Sequence, residues 1–562
     1  MQLPAQYLVD SADSVAAVAK LPTELLRQIF LSVVSDCKTS TDITPFFYTI
    51  TVDMLSPLKL THICRRWREV ATDMPELWTA VASCVGRRIV GNQTNDILSL
   101  FLARARGHPL SALIANDLHA ANKLCPHMDH IRTLEIVGYP ALYTLDILAR
   151  PAPALEYLIL ACPPPPDAIS FAPIIQAPII FRENAPSLQA LVLLNMSQLP
   201  TQSFPVLTDL HVGMQTRPRF EHLLQLLEGT PALESLAVVN YNAREIWNIP
   251  DLTIQLSRLR RLALIRMPMH LAMIFLLRLT IPASTTLYVL DISEGIGFPV
   301  EIPQTPPISA ADMLEMVVCG STLSFHLRAS AQDLAPRVRF EARRDPFSWR
   351  WWKSSYQSLP CANLTELRVA LEADNDTFLP PFLDAAVALS TLELRLYVPA
   401  VTERSGSGIA GARFDGAPQA WVGVCALLEQ AMPVVCPRLA EVALIDAASS
   451  ECAWDGFVAG SEEAPRVAYV PDVLCVVAAR AAAGRALRRI AIQGRWRPAQ
   501  RERVSRAFAM GAVVTDFEFR ELDADAPALF EFEDHSVAEV WENGYWRHEL
   551  PKHTLPWRDV KT

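Results

Sequence analysis

The sequence lacks several features that mark common functional classes. Glycine is scarce, with 20 residues in 562, while hydrophobic residues make up 51% of the chain. Such a composition is typical of a folded globular protein and excludes a largely disordered one. The net charge is −10, whereas a general nucleic-acid-binding protein needs a basic surface. Nucleic acid is therefore not an expected partner.

Sequence motifs that carry catalysis are also missing. The chain has no G-x-S-x-G elbow, no Walker-type glycine loop and no H-E-x-x-H zinc pattern. The histidines stand alone, for example His62, His211 and His326. Because catalytic groups can be distant in sequence, an enzyme stays open as a second class of hypothesis. The sequence favours a protein that is not an enzyme and that holds neither a cofactor nor a metal.

The cysteines and the apolar windows bear on localisation. The 11 cysteines are scattered without any C-x-x-C pair, which disfavours a disulfide framework or a zinc site and favours the reducing cytoplasm or nucleus. Asp10 and Asp13 precede the first basic residue, Lys20, so the N-terminus does not resemble a secretory signal. Residues 271–281 form the most apolar window but contain Arg278. A membrane span needs about 20 apolar residues, so this window predicts a buried helix and no membrane association.

Two amphipathic helices are predicted near the N-terminus. Pro22 suits the first turn of a helix, and Glu24 complements the helix dipole there. The apolar face of the first helix comprises Leu25, Leu26, Ile29, Phe30 and Val33. The second helix starts at Pro57 and stops at Pro75, with an apolar stripe formed by Leu60, Ile63, Cys64, Trp67, Val70 and Ala71. We expect Trp67 to lie in the core of this pair and residues 36–44 to form an exposed polar insertion.

The order of these residues resembles the F-box. The match runs from Leu21 to about Val81. It reads Leu-Pro-x-Glu-Leu-Leu-x-x-Ile-Phe at 21–30, Ile-Cys-Arg-x-Trp-Arg at 63–68, then Ala71 and Leu-Trp at 77–78. The insertion between Phe30 and Leu58 is longer than in the shortest F-boxes. Residues 97–116 are similar to the segment that follows the F-box in many fungal F-box proteins.

The remainder of the chain repeats a short phrase, apolar-x-x-apolar-x-apolar. Copies begin at Ile131, Leu155, Leu188, Leu207, Leu233, Leu259, Leu287, Leu364, Leu389, Leu439 and Leu487, with a further candidate at Val514. Their spacing is mostly about 20–30 residues, the range of leucine-rich repeats. One such unit cannot bury its leucines alone, so the units stack. The number of copies disfavours the alternative, an ordinary α/β domain with apolar strands. Large gaps at 293–363, 397–438 and 446–486 indicate insertions.

We therefore predict an α/β chain in four parts. They are an N-terminal tail (1–20), an F-box-like helical module (21–82), an irregular leucine-rich-repeat solenoid with insertions (95–520), and an acidic, aromatic C-terminal tail (521–562). The solenoid has parallel strands on its concave face. The segment 220–227 is predicted to be a helix in the return of one repeat.

Strand alternation predicts which residues a substrate would contact. The fourth and sixth positions of each phrase point inward, and the third, fifth and seventh face the concave surface. That surface is predicted to be apolar in its first half and charged in its second. An exposed apolar strip needs a partner or a cover, and the aromatic tail after Leu522 is one candidate cover. The predicted substrate contacts are Tyr157, Ile159, Val192, Leu194, Val239, Arg261, Ile265, Arg368, Arg395 and Arg489.

Arginines near the end of the repeats form another cluster. Eight of them fall between Arg485 and Arg506. They could receive an acidic or phosphorylated segment through bidentate pairs. The favoured interpretation is a solvated face that pairs with the acidic stretch 516–525.

The resemblance is to fungal, basidiomycete-type F-box proteins with leucine-rich repeats. It implies a substrate-recognition subunit that docks on the Skp adaptor of a cullin–RING ubiquitin ligase and presents an unknown protein substrate. Partner proteins would carry out ubiquitin transfer, and this chain would act by proximity. The competing hypothesis is a non-catalytic leucine-rich-repeat interaction scaffold without a role in degradation. The implied adaptor contacts are Leu21, Pro22, Leu25, Leu26, Ile29, Phe30, Leu60, Ile63 and Cys64, although some of these must hold the module together.

Overall fold

The computed structural model covers the helical module and nearly all of the predicted repeat strands. It describes residues 21–36, 41–44, 47–50, 55–82, 93–115, 117–137, 146–162, 179–196, 198–213, 219–241, 252–292, 302–303, 305–319, 322–328, 338–343, 359, 361–372, 379–397, 428–429, 435–446, 470–494, 502, 505–506 and 516–521. The predicted N-terminal tail and all of the predicted C-terminal tail except Glu521 lie outside these residues, and so does the predicted cover of the concave face. The described residues fall into two compact units, 21–236 with Tyr241, and Ala237–Asn240 with 252–521.

The first unit combines helices with a parallel sheet. Its helices are α1 (Thr23–Asp36), α2 (Leu55–Ile63), α3 (Arg65–Thr72), α4 (Gln93–Ala105), α5 (Leu118–Leu124) and α6 (Phe220–Glu228). Single 3-10 turns occur at Pro75–Trp78, Cys125–His127, Asp146–Ala149 and Phe181–Glu183. The predicted helix at 220–227 is confirmed by α6. The insertion between Phe30 and Leu58 contains a hairpin of β1 (Thr41–Thr44) and antiparallel β2 (Phe47–Ile50). The prediction of an exposed polar insertion at 36–44 did not include these strands.

The second predicted helix of the module is in fact two helices. Cys64 interrupts it with an extended backbone (φ −155°, ψ 171°), and its Sγ accepts a hydrogen bond from the Trp67 N–H at 3.4 Å. At the end of α2, the Thr61 carbonyl accepts a hydrogen bond from the Arg68 Nε–H at 2.8 Å. Both ends of the break are therefore hydrogen-bonded, as helix termini require. Because of the break, the two ends of the predicted stripe do not share one helical face.

The sheet of the first unit follows the order of the chain. Its strands are β3 (Ala80–Ala82), β4 (Leu110–Ala115), β5 (Ile131–Val137), β6 (Tyr157–Ala161), β7 (Ala190–Leu194) and β8 (Asp209–Gly213). Each is parallel to the next. In the repeat that contains β6, the first, fourth and sixth positions of the phrase are all buried: Leu155, Leu158 and Leu160. The next strand β9 (Ser235–Val239) spans the division between the units.

The second unit contains the later repeats. Its strands are β10 (Ile254–Gln255), β11 (Arg261–Ile265), β12 (Leu279–Thr280), β13 (Thr286–Ile292), β14 (Met313–Cys319), β15 (Thr322–Arg328), β16 (Val338–Arg343), β17 (Glu366–Glu372), β18 (Thr391–Tyr397), β19 (Glu441–Asp446), β20 (Arg489–Gly494) and β21 (Asp516–Glu521). From β17 to β21 each strand is parallel to the next. The short strands β10 and β12 form a separate parallel pair.

An antiparallel meander interrupts the parallel order of the second unit. β13 pairs in parallel with β16, β16 and β15 are antiparallel, β15 and β14 are antiparallel, and β14 pairs in parallel with β17. The three strands occupy the predicted gap 293–363. The expectation of parallel strands throughout is therefore wrong for β15. Only two residues separate β14 from β15, and so short a connection can join antiparallel but not parallel strands.

The second unit also contains the helices α7 (Met269–Leu277), α8 (Pro306–Ser309), α9 (Leu379–Ala385) and α10 (Val470–Ala482). The apolar window 271–281 contains most of α7, as predicted, and continues into β12. Arg480 of α10 is buried, and its guanidinium donates to the carbonyls of Val435 and Cys436 at 3.0 and 2.9 Å. Among the described residues, no helix is both long and apolar enough to cross a membrane.

The same backbone hydrogen bond recurs from repeat to repeat. It joins the second residue of one phrase to the second residue of the preceding phrase. In the first unit, the N–H of Glu156 donates to Arg132 O at 2.8 Å, that of Gln189 to Glu156 O at 2.9 Å, and that of Thr208 to Gln189 O at 2.8 Å. In the second unit, the N–H of Ser390 donates to Thr365 O at 2.9 Å, that of Ala440 to Ser390 O at 2.9 Å, and that of Arg488 to Ala440 O at 2.8 Å. Within each of these series, successive repeats therefore pair in the same register.

Candidate protein-interaction sites

The interior of the helical module is organised around Trp78. This side chain is fully buried, and its Nε1–H donates to the Ala71 carbonyl at 2.9 Å. The Phe101 ring packs edge-on at 4.9 Å, and the Arg104 guanidinium lies 4.2 Å from the Trp78 ring centroid. Trp67, the expected core residue, is only half-buried. The prediction for Trp67 is therefore corrected, because the helix break turns this side chain toward the surface.

Helix α1 has an inner and an outer apolar face. Leu26 and Phe30 on the inner face are completely buried. Leu25, Ile29 and Val33 are spaced four residues apart and remain 44%, 38% and 38% exposed. Since residues four apart lie above one another on a helix, these three form one exposed apolar row.

The break between α2 and α3 adds a second exposed apolar group. Ile63 at the end of α2 is 57% exposed, and the neighbouring Cys64 is exposed too. The Arg66 guanidinium donates to the Leu21 carbonyl, which ties the entry to α1 to the start of α3. This bond brings the break close to the first turn of α1. We refer to Leu25, Ile29, Val33 and Ile63 together as the docking face.

Three of the residues expected to contact an adaptor are not accessible to a partner. Leu26, Phe30 and Leu60 are buried inside the module. A partner cannot reach these side chains while the module stays folded, so they are reassigned to its core. Pro22 is exposed and Leu21 is half-buried, so both stay accessible beside the docking face.

The predicted apolar strip on the concave sheet surface is not exposed. Val192 and Arg261 are half-buried. The other apolar residues predicted to contact substrate are all buried: Tyr157, Ile159, Leu194, Val239 and Ile265. They are therefore removed from the candidate contacts, since alternation in a strand distinguishes its two faces but does not tell whether the second face is covered.

Polar residues on this second face of the first unit are buried as well. Thr133 and Glu135 of β5 are buried, and they pair in register with Tyr157 and Ile159. His211 of β8 is also buried, and loss of hydration lowers its pKa to about 4. The imidazole is therefore neutral at physiological pH.

The second unit carries a row of charged side chains across its strands. Glu315, Arg368 and Glu393 are paired residues on β14, β17 and β18. The buried Glu315 carboxylate contacts Arg328 at 3.1 Å and Arg368 at 3.3 Å. Arg368 also contacts Glu366 at 2.6 Å. Burial alone would lower the pKa of Arg368, but the carboxylates of Glu366, Glu393 and Glu315 outweigh burial and raise it.

Further ion pairs extend this row toward the end of the sheet. Arg395 contacts Glu393 at 2.8 Å. Arg489 pairs with Glu518, in agreement with the expected pairing between the arginine cluster and the acidic stretch 516–525. These guanidinium groups are partly exposed and face carboxylates of their own chain. Arg368, Arg395 and Arg489 therefore belong to a row of paired charges on the sheet of the second unit.

Glu315 and Arg328 belong to the row but were not among the residues predicted from the repeat phrase. Both lie in the gap between recognised copies of the phrase. The signal was present in the alternation of β14, where Leu314 and Met316 are buried on either side of Glu315. The repeat phrase does not reveal this alternation, because the antiparallel meander interrupts the constant spacing between copies of the phrase.

The described residues contain no group of histidine, cysteine or carboxylate side chains that could hold a metal ion. No protein-family model matches the chain, and no curated protein matches it in sequence.

Proposed function

We propose that this chain is the substrate-recognition subunit of a Skp–cullin–F-box ubiquitin ligase. Residues 21–82 form an F-box that docks on a Skp-type adaptor, and the repeats form a solenoid that presents a protein substrate. The chain itself is not an enzyme. Partner proteins transfer ubiquitin, and the chain raises the local concentration of substrate lysines near them.

The exposed apolar docking face is the observation that carries this proposal. Fully burying one Leu, Ile or Val side chain contributes roughly 1.5–3 kcal/mol. The core of the module is already filled by Leu26, Phe30 and Trp78, so Leu25, Ile29 and Ile63 gain that burial only from a partner. An amphipathic helix that keeps one apolar row in water is typical of helix-in-groove recognition.

The regular docking of successive repeats supports the solenoid. Parallel strands in chain order, buried leucines at matching positions and one recurring backbone hydrogen bond are expected of stacked repeats. The substrate surface is then assigned to the partly exposed charged row around Arg368, Arg395 and Arg489, and not to the buried apolar strip.

Capture of a recombinant Skp-type adaptor by the full-length chain tests the docking assignment. The test variant is Leu25→Glu with Ile63→Glu, which places two charges on the docking face. The control variant is Leu277→Glu with Val387→Glu, at two residues that are similarly exposed elsewhere. Loss of two apolar anchors should weaken adaptor binding by at least about 100-fold, while the control should bind like the wild type.

All three proteins should show the same thermal midpoint, because every altered side chain is exposed. Equal capture of the adaptor by the wild type and the docking-face variant would remove the assignment. If the adaptor is captured but no protein accumulates in cells that lack the chain, the scaffold without a degradation role is the better description.

A further inference from the structure

Lysine is nearly absent from the part of the chain that contains the repeats. Residues 124–551, which include every strand from β5 to β21, contain 34 arginines and a single lysine, Lys353. Outside these residues the two types are mixed, with six lysines and nine arginines. Because the ratio changes within one chain, a bias toward arginine over the whole chain does not explain it. We refer to residues 124–551 as the lysine-poor segment.

Some of these arginines occupy positions at which lysine would serve equally well. Four of them are exposed: Arg150, Arg182, Arg258 and Arg438. An exposed position requires only a charged head group in water, which lysine supplies as well as arginine does. Arg480 is different, because its buried guanidinium donates to two backbone carbonyls at once, a geometry for which the planar fork of arginine is suited. Packing therefore explains arginine at Arg480 but not at the exposed positions.

The two side chains differ in the reaction that a ubiquitin ligase promotes. A deprotonated lysine ε-amine attacks the carbonyl carbon of the ubiquitin thioester carried by a conjugating enzyme. The C–N bond forms, the C–S bond breaks, and the enzyme's thiol leaves with the proton that the amine loses. Arginine cannot replace lysine here, because its guanidinium is not deprotonated in proteins. Arginine in place of lysine therefore keeps the charge and removes the acceptor.

Two lysines lie within the described residues, and both precede the lysine-poor segment. Lys59 lies one helical turn before Ile63 of the docking face, so both are on the same side of α2. An adaptor on the docking face would therefore lie beside Lys59. Lys123, near the end of α5, is half-buried, and its Nζ donates to Ser99 Oγ of α4 at 2.8 Å. The described repeats from β5 onward contain no lysine.

We propose that the scarcity of lysine in this segment directs ubiquitin to the bound substrate and protects the chain itself from modification. This inference rests on the proposed function and adds how the receptor escapes transfer. A bound substrate and the repeats that hold it are both kept close to the conjugating enzyme. Proximity alone does not distinguish them, since any tethered amine has an effective concentration on the order of millimolar. The lack of acceptor amines on the repeats supplies the distinction.

Reconstituted ubiquitin transfer with the full-length chain tests the inference. The reaction contains a recombinant Skp-type adaptor, a cullin–RING complex and a charged conjugating enzyme, without a substrate. The test variant combines Arg150→Lys, Arg182→Lys, Arg258→Lys and Arg438→Lys, which keep the charge at exposed positions. Mass spectrometry then locates ubiquitin on the chain. Because every change is exposed and conserves charge, the thermal midpoint should match that of the wild type.

Two matched controls separate the new amines from other effects. The first replaces the same four arginines by glutamine, which removes arginine without adding an acceptor. The second combines the four lysines with Leu25→Glu and Ile63→Glu, which disrupt the docking face. We expect the test variant to carry at least about tenfold more ubiquitin on the lysine-poor segment than the wild type, at the new lysines. Both controls should resemble the wild type.

Two results would overturn the inference while leaving the proposed function intact. One is equal modification of the lysine-poor segment in the wild type and in the test variant. The other is no ubiquitin at the new lysines, although the same complex discharges the conjugating enzyme onto free lysine in solution. Failure of the wild type to capture the adaptor would overturn the proposed function as well.

Discussion

The Glu315 carboxylate lies 3.3 Å from the Arg368 guanidinium, although the two residues are far apart in the chain. They are register partners on β14 and β17, the strands at which the parallel sheet resumes after the meander. Arg328 contacts the same carboxylate from β15. One buried carboxylate thus connects the antiparallel and parallel parts of the second unit.

Neutralising Glu315 should destabilise the second unit. Glu315→Gln leaves Arg328 and Arg368 without their shared partner, while Arg368 retains Glu366. We expect a loss of about 2 kcal/mol in the free energy of unfolding. This is less than for a fully buried pair, because both arginines remain one-third exposed. Urea denaturation measures the loss. Arg506→Ala, which removes an exposed pair with Glu502, should change stability by less than about 0.5 kcal/mol.

Trp78 should stabilise the helical module more than Trp67 does. Trp78→Ala removes a fully buried ring and its hydrogen bond to Ala71, and should cost roughly 3–5 kcal/mol. Trp67→Ala removes a half-buried ring that contacts Phe30 at 4.9 Å, and should cost roughly 1–2 kcal/mol. Hydrogen–deuterium exchange of α3 in the full-length chain compares them. Faster exchange for the Trp67 variant would reverse the order proposed for these residues.

The repeat strands were predictable because local and global patterns agree in them. In β6 the period of two places Leu158 and Leu160 on the core side, and both are buried. The copy that begins at Leu188 likewise contains a strand, since its fourth and sixth positions lie in β7, Ala190–Leu194. Since every copy contributes the same strand to the same kind of core, a short pattern suffices.

Features that depend on tertiary contacts could not be predicted in the same way. The stripe through Cys64 has helical spacing, yet the chain breaks there, because the side chains of Cys64 and Arg68 hydrogen-bond backbone groups on the two sides of the break. Thr133, Glu135 and His211 are polar residues that alternate with the apolar core positions of their strands, yet all three are buried. Periodicity shows which face of a helix or strand is apolar. Whether the other face is buried depends on tertiary packing, which the periodicity of one element does not encode.

The 3-10 turn at Phe181–Glu183 stores backbone strain that glycine should relieve. Arg182 and Glu183 have φ values of +51° and +62°, and both side chains are exposed. Left-handed backbone costs a residue with a Cβ roughly 1–2 kcal/mol, part of which glycine loses again to entropy in the unfolded chain. Glu183→Gly should therefore stabilise the protein by about 0.5–1 kcal/mol. Thermal denaturation tests this, and Gln225→Gly in the regular helix α6 should instead destabilise by about 1 kcal/mol.

His211 should make the stability of the first unit depend on pH. Burial lowers its pKa from 6.5 to about 4. The unfolded chain therefore takes up this proton at a higher pH than the folded chain does. The stabilisation is complete above pH 6.5 and is lost as the pH falls toward 4, at up to about 1.4 kcal/mol per pH unit.

Replacing the imidazole should reduce that slope. His211→Gln cannot take up the proton, so its free energy of unfolding should vary less between pH 6.5 and 4, whatever its stability at pH 7. Some dependence on pH should remain, because burial also lowers the pKa of His222 and His270. His119→Gln changes an exposed histidine and should leave the slope as in the wild type. Equal slopes for the His211 and His119 variants in urea denaturation at several pH values would show that His211 is not the group that titrates on unfolding.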